Sequence, residues 1–454
     1  MDRLQPIDAN WKPTMTPHTH DPTQITGDWF DRIDAPQAAA LLAWAQRQGL
    51  LEGHDTVIIH DLSRMLDRLS RVRAAFAPSA LHALAIKANA LVQVLRAAAD
   101  AGFGLEAASI EEVALARAAG CPAQRIVFDS PAKRTAEIRQ ALEWGVLINA
   151  DNFDELDRIA TALKTHAIPP PPIGLRVNPQ TGAGSISTTS VAAAYSKFGV
   201  SLGSDRLAII DAFERHPWLT GLHAHIGSQG VTVAQMVESV RRIFELRSQI
   251  AERVGEGRIG FVDIGGGLPW RYRLDQQPAS LDDFVAQLRQ AVPQAWEPGV
   301  RLVTEFGRSI QAGCGIAASR VEYVKKQGDH RIAVIHLGAD LLMRRVYHPA
   351  DWHHRISVLD AAGAPRQGAL VKQDIAGPLC FGGDFVARGE MLPEIHPGDW
   401  VVVHDVGAYT LSMWSRHCNR GIPRVLGHQG DGRPMMVLRE AERPEDIVEF
   451  WSAP

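Results

Sequence analysis

Short apolar segments alternate with amphipathic helical segments between about residue 81 and residue 308. The helical segments end at glycine, as at Gly120 and Gly145, which is a common helix stop. Successive apolar segments end about 20 residues apart, close to the length of one strand and one helix. The pattern predicts parallel strands, each followed by a helix. The first four predicted strands are 81–87, 103–109, 125–130 and 146–150.

Four more apolar segments bring the number of predicted parallel strands to about eight, which is typical of a closed (β/α)8 barrel. An open doubly wound sheet is the competing architecture. After about residue 320 the sequence becomes β-rich and punctuated by turns, which predicts a separate antiparallel β-domain. The later barrel strands are expected at 173–178, 219–228, 259–265 and 300–307.

The chain is therefore expected to have three parts. Residues 1–54 form an N-terminal extension that packs on the β-domain, and residues 55–318 form the barrel. Residues 319–454 form a C-terminal β-domain that contributes to the active site. The segment 179–202 leaves a predicted strand and begins with many Gly, Ser and Thr residues. A mobile lid and a solvated insertion without function are both open for it.

Composition narrows the possible partners and the compartment. The 454 residues are 46% hydrophobic and 22% charged, with a formal net charge of -4, as in an ordinary soluble protein with two cores. This charge gives no reason to expect a nucleic acid or an anionic membrane as partner. No long apolar stretch is present, so a cytoplasmic location is expected. The four cysteines are widely spaced and predict free thiols and no metal site.

Lys87 ends the first apolar segment of the series, just before a helical segment. Burial there would lower the pKa of its amine and allow the amine to condense with a carbonyl to form a Schiff base. A surface lysine at a strand exit is the alternative interpretation. In a barrel, the C-terminal ends of the strands form the active site, so Lys87 is read together with the polar residues at other strand ends.

The other strand ends offer a phosphate site and a place for a flat ring. Gly265, Gly266 and Gly267 would let backbone N–H groups approach a phosphate, although a tight turn without a ligand also fits. Ser228 and Arg308 would add a hydroxyl and a cation. Together with the amine, these residues predict an anionic, carbonyl-bearing ligand.

Two further side chains would face that ligand. His225 could stack on a flat cofactor ring or serve only as a structural histidine. Glu305, a carboxylate inside a barrel, needs a cation, which could be a protonated pyridine nitrogen or Arg308. Amine, phosphate cradle, imidazole and carboxylate together describe a pyridoxal 5'-phosphate site.

Six ordered motifs resemble those of the alanine-racemase-fold, pyridoxal phosphate-dependent decarboxylases, most closely the diaminopimelate decarboxylases. The resemblance runs from about residue 55 to the C-terminus. It implies a homodimer in which Cys380 reaches the partner's site as proton donor, and a small amino-acid substrate. The motifs are Ala85-Ile-Lys-Ala-Asn89, His223-Ala-His-Ile-Gly-Ser-Gln229, Asp263-Ile-Gly-Gly-Gly267, Glu305-Phe-Gly-Arg308, Gly377-Pro-Leu-Cys380 and Gly407-Ala-Tyr409.

The resemblance also implies a role for each site residue. Lys87 would hold the cofactor, His225 would stack on its ring and Glu305 would contact the pyridine nitrogen. The phosphate and the rest of the cofactor would lie among Ser228, Gly266, Gly267, Gly307, Arg308 and Tyr409. The expected catalytic residues are Lys87, Cys380 and His225, and the expected substrate-binding residues are Arg308, Arg344, His348, Phe381, Asp340 and Tyr409.

The chain departs from the diaminopimelate pattern at the substrate side. Phe381 follows Cys380 where the family carries a glutamate that holds the distal ammonium. Arg344 is kept for a distal carboxylate, His348 replaces a tyrosine, and Asp340 offers a replacement carboxylate. These changes favour a decarboxylase of D-lysine or D-ornithine, with meso-diaminopimelate as the alternative. An amino-acid racemase and a non-catalytic cofactor-binding protein are further alternatives.

Overall fold

The computed structural model describes residues 28–430 and 432–453. Residues 1–27 of the expected N-terminal extension therefore lie outside the described residues. The strands are β1 (Thr56–Asp61), β2 (Leu81–Ala85), β3 (Gly104–Ala107), β4 (Ile126–Phe128), β5 (Leu147–Ala150), β6 (Ile173–Asn178), β7 (Val200–Ser201), β8 (Leu219–His223), β9 (Phe261–Asp263), β10 (Arg301–Thr304), β11 (Gly315–Gln327), β12 (His330–Ile335), β13 (Ile356–Leu359), β14 (Leu370–Ala376), β15 (Phe385–Pro393), β16 (Trp400–His404), β17 (Arg424–His428) and β18 (Met436–Arg439).

The α-helices connect the barrel strands and flank the second sheet. None of the helices in the described ranges is long and apolar enough to cross a membrane. They are α1 (Ala35–Arg47), α2 (Leu62–Ala75), α3 (Val92–Asp100), α4 (Ile110–Ala118), α5 (Thr135–Trp144), α6 (Phe153–His166), α7 (Arg206–Arg215), α8 (Val233–Val254), α9 (Leu281–Ala291), α10 (Arg308–Gln311), α11 (Met343–Tyr347) and α12 (Pro444–Trp451).

Eight parallel strands close into a barrel. Around the ring they follow the order β2, β3, β4, β5, β6, β8, β9, β10, and β10 pairs with β2. The predicted (β/α)8 barrel is confirmed and the open doubly wound sheet is wrong. The strands are shorter than the predicted segments, because residues such as 224–228 leave the ladder and line the barrel mouth.

The lower part of the barrel is filled by apolar side chains that point inward. The ring of Phe261 occupies the space above Gly174 and Gly221, and a Cβ at Gly221 would overlap that ring. Phe261, Val127 and Val303 belong to one buried apolar cluster in the interior. This packed layer seals the barrel from below, so polar chemistry is confined to its upper, C-terminal end.

The second sheet is mixed and includes a strand from the N-terminal side of the barrel. β1 pairs antiparallel with β11 and parallel with β17, and β12 pairs parallel with β14. The expectation of a purely antiparallel domain is therefore corrected. The expected barrel range, residues 55–318, includes β1, but β1 pairs in the second sheet because its ladder partners lie at residues 315–319 and 424–428.

Helix α1 covers one face of this sheet. Its apolar side chains, among them Leu41 and Leu42, share a buried cluster with Val57, Ile59 and Ile316. The helix begins at Ala35 after Asp34, whose side chain accepts the N–H of Gln37 in a capping box. The part of the N-terminal extension that the structure describes thus lies against the β-sheet domain.

The barrel and the mixed sheet meet at Asp405. Its carboxylate accepts hydrogen bonds from Arg32 at 3.1 Å and from the indole N–H of Trp270 at 3.2 Å. Close by, the backbone N–H of Tyr409 donates to the carbonyl of Ala88 at 2.8 Å. Residues of the β-domain are therefore held directly over the exit of β2.

Candidate active site

The polar residues predicted from strand ends converge at the C-terminal mouth of the barrel. Strand register explains this: Ala85 pairs with Glu106 across β2 and β3, and His223 pairs with Arg176 and Asp263 on its two neighbouring strands. Residues in register lie at one height in the barrel, so their side chains form a layer above the apolar plug.

Lys87 lies in a short 3-10 turn, Ile86–Ala88, that follows β2. Its Nζ donates to Oε1 of Glu106 at 2.5 Å, and the lysine side chain is 33% exposed. Burial disfavours the ammonium, but the carboxylates of Glu106, Glu305 and Asp129 outweigh burial and raise the pKa of Lys87. The expectation that burial would lower this pKa is therefore wrong.

The glycines after β9 leave no room for side chains beside His225. A Cβ at Gly265 would lie 2.7 Å from Nδ1 of His225, and one at Gly266 would overlap the carbonyl oxygen of Glu305. Gly265 and Gly267 also have positive φ, at 67° and 111°. The chain can therefore turn over His225 at this point only with glycine.

The imidazole of His225 is neutral. Nδ1 accepts the backbone N–H of Gly266 at 2.9 Å, so in the neutral ring the proton resides on Nε2. Burial, reinforced by the charges of Lys87 and Arg176, lowers the pKa of His225 to about 3, against the opposing effect of Glu305. A neutral, flat imidazole without a cationic charge can stack on an aromatic cofactor ring.

Arg308 is the centre of a cluster at the start of α10. Its Nε donates to Oγ of Ser228 at 3.0 Å and its Nη1 to the hydroxyl of Tyr272 at 3.0 Å. The guanidinium also lies 4.4 Å from the centre of the Tyr409 ring. A Cβ at Gly307 would meet Ala88 at 3.0 Å and the Tyr409 hydroxyl at 3.6 Å. The guanidinium of Arg308 therefore binds Ser228 and Tyr272 and does not pair with Glu305.

Glu305 lies on the floor of the site. Its side chain is 1% exposed, and neither carboxylate oxygen has a hydrogen-bond partner in the part of the chain that the structure describes. Its nearest cation is His223, whose Nε2 is 3.7 Å from Oε2. Burial opposes the charge, but His223 and Lys87 outweigh burial and lower the pKa of Glu305. Arg308 as the partner of Glu305, an alternative from the sequence, is thereby excluded.

The predicted substrate-side residues are spread over the β-domain. The Arg344 guanidinium lies 4.8 Å from the Trp352 ring and 5.0 Å from the Tyr409 ring. His348 is exposed at the end of α11. Phe381 stacks on Tyr347, with ring centres 5.3 Å apart. Arg344 thus joins the Arg308 cluster at the mouth, whereas the other two lie towards the surface.

Asp340 and Cys380 lie on turns of the β-domain. Oδ1 of Asp340 accepts the N–H groups of Gly338 and Leu341, both at 2.9 Å, and its other oxygen lies 3.8 Å from Arg420. Those contacts give Asp340 a role in shaping its own turn. Cys380 is an exposed free thiol on the loop between β14 and β15.

Several polar side chains of the site escaped the sequence interpretation. Three of them carried a readable signal, a charged residue inside or directly after an apolar strand segment: Glu106 in β3, Asp129 after β4 and Arg176 in β6. Tyr272, beside Arg308, carried no such signal. Arg176 binds Asp129 at 3.0 Å, which neutralises a charge that the strand alone would leave buried.

The site fits pyridoxal 5'-phosphate. A buried carboxylate with two unpaired oxygens, as in Glu305, suits a protonated ring nitrogen. The turn of three glycines after β9 lies too close to His225 and to the carbonyls of Glu305 and Gly227 for side chains. The N–H groups of Gly265 and Gly266 donate to Asp263 and His225, which leaves the N–H of Gly267 for a phosphate. Lys87 would supply the amine that the aldehyde of this cofactor requires.

An eight-stranded barrel with this lysine and a second β-sheet domain defines the alanine-racemase-fold class of pyridoxal phosphate enzymes. A sequence profile described as "Pyridoxal-dependent decarboxylase, pyridoxal binding domain" matches residues 62–312. The chain therefore belongs to the pyridoxal-dependent decarboxylase family. It is a carboxy-lyase whose cofactor is pyridoxal 5'-phosphate, as the resemblance predicted.

Similar proteins of known name are diaminopimelate decarboxylases. The protein from Pseudomonas fluorescens is 32% identical over 376 residues, which cover 81% of this chain and 85% of that protein. The protein from Streptomyces coelicolor is 32% identical over 381 residues, with coverages of 80% and 82%. These matches extend beyond the barrel into the β-domain.

Solved structures agree in fold. Diaminopimelate decarboxylase from Helicobacter pylori, complexed with L-lysine, aligns with a TM-score of 0.79 and 25% identity, covering 89% of this chain and 98% of that chain. Lysine/ornithine decarboxylase from Vibrio vulnificus, complexed with cadaverine, aligns with a TM-score of 0.72 and 22% identity over 88% and 100% of the two chains. The second likeness shows the fold alone.

Proposed function

We propose that this protein removes the carboxylate from the D-configured centre of meso-diaminopimelate and so produces L-lysine. Arg344 carries the proposal. Its Nη1 is buried without a hydrogen-bond partner within residues 28–430 and 432–453, and its guanidinium faces Tyr409 at the mouth of the site. Burial and the nearby Arg308 lower the pKa of Arg344 to about 10, so it remains charged at neutral pH. A second substrate carboxylate would supply the missing anion.

In this proposal Lys87 holds the cofactor through Nζ. His225 contacts one face of the cofactor ring, and Glu305 contacts the ring nitrogen. The phosphate lies between the glycine turn, where the N–H of Gly267 can donate to it, and the Arg308 cluster. Bound pyridoxal phosphate supplies the electron-withdrawing ring on which loss of CO2 depends. The residues proposed to surround it are Ser228, Gly266, Gly267, Gly307, Arg308 and Tyr409.

The chain's own groups then control charge and protons. Glu305 stays ionised and so favours a protonated ring nitrogen. Glu106 accepts a hydrogen bond from the Lys87 ammonium and can take up its proton when the amine reacts. Burial raises the pKa of Glu106 to about 8 against the effect of Lys87, which suits a group that exchanges protons near neutrality.

Cys380 is proposed to act in the site of a second copy of this chain, where its Sγ returns a proton to the carbon that lost its carboxylate. The support is its position: the thiol is exposed on a β-domain loop, next to the half-buried Phe381, which stacks on the exposed Tyr347. Mixing Lys87→Ala and Cys380→Ala proteins tests this. Activity should reappear in the mixture, because a mixed dimer has one intact site. A mixture as inactive as its parts, in a protein shown to be dimeric, would contradict the shared site.

Lys87→Ala should abolish turnover and the visible-edge absorbance of the bound cofactor, because no other amine lies at this strand exit. CO2 release and the absorption spectrum measure the two effects. Lys372→Ala, at an exposed position of β14, is the matched control and should keep both. Wild-type turnover in Lys87→Ala protein would remove Lys87 from its role.

A panel of stereoisomers tests the substrate. CO2 release from meso-diaminopimelate, with L-lysine as product, is the expected result. D-lysine and D-ornithine are the second candidates, because Phe381 replaces the glutamate that the family resemblance predicts. Release from these two alone would establish the second candidate. Release only from L-isomers would contradict both.

Arg344→Met separates the two candidates within one protein. The variant should raise KM for diaminopimelate by about 10- to 100-fold, which corresponds to one charge-assisted interaction. Turnover of D-lysine, which has no distal carboxylate, should be unchanged. Equal losses for both substrates would show that Arg344 does not bind the distal carboxylate.

A further inference from the structure

We propose that His223 is a positioning residue for Glu305. The imidazole of His223 lies between the carboxylates of Asp129 and Glu305 and holds Oε2 of Glu305. This leaves Oε1 of Glu305 to face the nitrogen of the cofactor ring. The inference rests on the proposed role of Glu305 and adds a reason why that carboxylate stays ionised and oriented. His223 touches neither substrate nor cofactor in this arrangement.

The geometry is that of a charge placed between two carboxylates. His223 ends β8 and its side chain is fully buried. Its Nε2 lies 3.5 Å from Oδ2 of Asp129 and 3.7 Å from Oε2 of Glu305. Ligand atoms of the three residues all lie within 4.8 Å of one another. These distances are longer than hydrogen bonds, so the contact is mainly electrostatic.

The far side of the cluster is anchored. Nη1 of Arg176 binds Oδ1 of Asp129 at 3.0 Å, so charges alternate from Arg176 through Asp129 and His223 to Glu305. A protonated ring nitrogen would be the next positive charge in the series. Both His223 ring nitrogens lack a hydrogen-bond partner among the described residues, as do both oxygens of Glu305.

The surrounding strands and turns add three more titratable groups. Asp263 pairs in register with His223 on β9, and its oxygens accept N–H groups from Asn149 and Gly265 at 3.0 Å. Burial and the nearby Glu305 raise the pKa of Asp263 well above its usual range. Lys87, in the turn after β2, and Glu106, in β3, act on the cluster electrostatically. Burial opposes the imidazolium, but Asp129, Glu305 and Asp263 outweigh it and raise the pKa of His223 to about 9. The imidazole is therefore charged at neutral pH.

Without this cation, buried carboxylates of Asp129 and Glu305 would face each other, and one of them would take up a proton. A protonated Glu305 cannot serve as the anionic partner of a ring nitrogen. Loss of His223 should therefore weaken cofactor binding. Outer partners of metal-binding side chains show the scale of such effects, typically about 10- to 100-fold.

Equilibrium dialysis of the holoenzyme against decreasing pyridoxal 5'-phosphate measures the effect. His223→Leu should bind the cofactor about 10- to 100-fold more weakly. His223→Gln, which keeps a donor but no charge, should lose a similar factor. Wild-type affinity in either variant would overturn the inference, and thermal unfolding checks that both variants fold.

The double variant Asp129→Asn/His223→Leu distinguishes charge from packing. Removing the opposing carboxylate should restore most of the affinity that His223→Leu loses, since Glu305 then has no like charge from Asp129. If His223 had a purely structural role, the affinity losses of the two single variants would multiply in the double variant. That outcome would overturn the inference. The loss in His223→Gln should also grow from about pH 8 to about pH 6, as Glu305 takes up protons.

Glu305→Gln separates this inference from the proposed function. If Glu305→Gln binds the cofactor as tightly as the wild type, the role of Glu305 itself fails. If Glu305→Gln is weakened while the His223 variants are not, only the positioning role of His223 fails.

Discussion

Single glycines set how closely the backbone segments of the barrel mouth approach one another. The turn after β9 passes His225 on one side and the carbonyl of Glu305 on the other, with no space for a methyl group. Both of these neighbours belong to the proposed cofactor site. A change of one atom in this turn therefore reaches the ring and the phosphate together.

Gly266→Ala should weaken cofactor binding at least about tenfold and destabilise the fold by about 1–3 kcal/mol, because the Cβ would push against a strand-end carbonyl. Cofactor dialysis and urea unfolding measure the two effects. Gly260→Ala is the matched control: its Cβ would meet only the Thr220 carbonyl at 4.0 Å. An unchanged Gly266→Ala protein would show that the turn can open.

The charge of His223 should make stability depend on pH. Its pKa of about 9 in the fold lies above its unfolded value of about 6.5, so its contribution is fully present below about pH 6.5 and is lost as pH rises through 9. The contribution is on the order of 3 kcal/mol. In urea unfolding without added cofactor, the wild type should therefore have a higher free energy of unfolding than His223→Gln at pH 6.5. This difference should disappear as the pH rises to about 9. A constant difference would contradict a charged His223.

Elements could be predicted from the sequence where the signal is local and repeated. Eight strands were found because each unit repeats an apolar strand and a helix of similar length. The gathering of strand-end side chains at one mouth followed, since closure brings all C-terminal strand ends together, and the catalytic roles of these side chains stay predictions. The pKa of Lys87 could not be foreseen, because Glu106 and Asp129 act on it from other strands. The pairing of β1 with the second sheet could not be predicted either, since its partner strands follow hundreds of residues later in the sequence.

Residues 179–199, the part of the predicted 179–202 segment that precedes β7, pack on the barrel mouth. The backbone of residues 185–191 exchanges hydrogen bonds with residues 226–230: Ser185 donates to Gly230 at 2.9 Å, and Ser228 donates to Thr189 at 3.0 Å. The segment thus holds the residue that would contact the phosphate. A solvated insertion without contacts to the site does not describe this arrangement, and a lid remains a prediction.

Ser190→Ala should loosen this segment. Oγ of Ser190 accepts the N–H of Gly184 at 2.7 Å and donates to the Ile186 carbonyl at 3.0 Å. Losing about 1 kcal/mol of local stability should speed limited proteolysis within 179–199 by about fivefold. Ser204→Ala, whose hydroxyl is exposed, is the control. Equal cleavage rates in both variants would show that the hydroxyl does not hold the segment.

At the scale of the whole molecule, Asp405 joins the barrel to the mixed sheet. Its carboxylate binds Arg32 and Trp270, and Arg355 lies 3.5 Å away. Asp405 also has a φ of 61°, a conformation that asparagine tolerates. Replacement by asparagine would therefore remove the charge without straining the backbone.

Asp405→Asn should lower the free energy of unfolding by about 3 kcal/mol, because Arg32 is left buried without its counter-ion. Urea unfolding measures the change, and cofactor binding should fall with it, since Tyr409 is placed by the same contact region. Asp275→Asn, which breaks an exposed ion pair with Arg273, is the control and should unfold like the wild type. A stable Asp405→Asn protein would contradict this account of the junction.

The position of β1 also has a consequence for synthesis. This strand leaves the ribosome long before its two ladder neighbours, and its second edge stays open until residues 424–428 have been made. The barrel can close while the N-terminal strand still waits for the end of the chain. Any nascent product that stops before that point would therefore carry a finished barrel beside an unpaired, apolar strand edge, which is a template for aggregation.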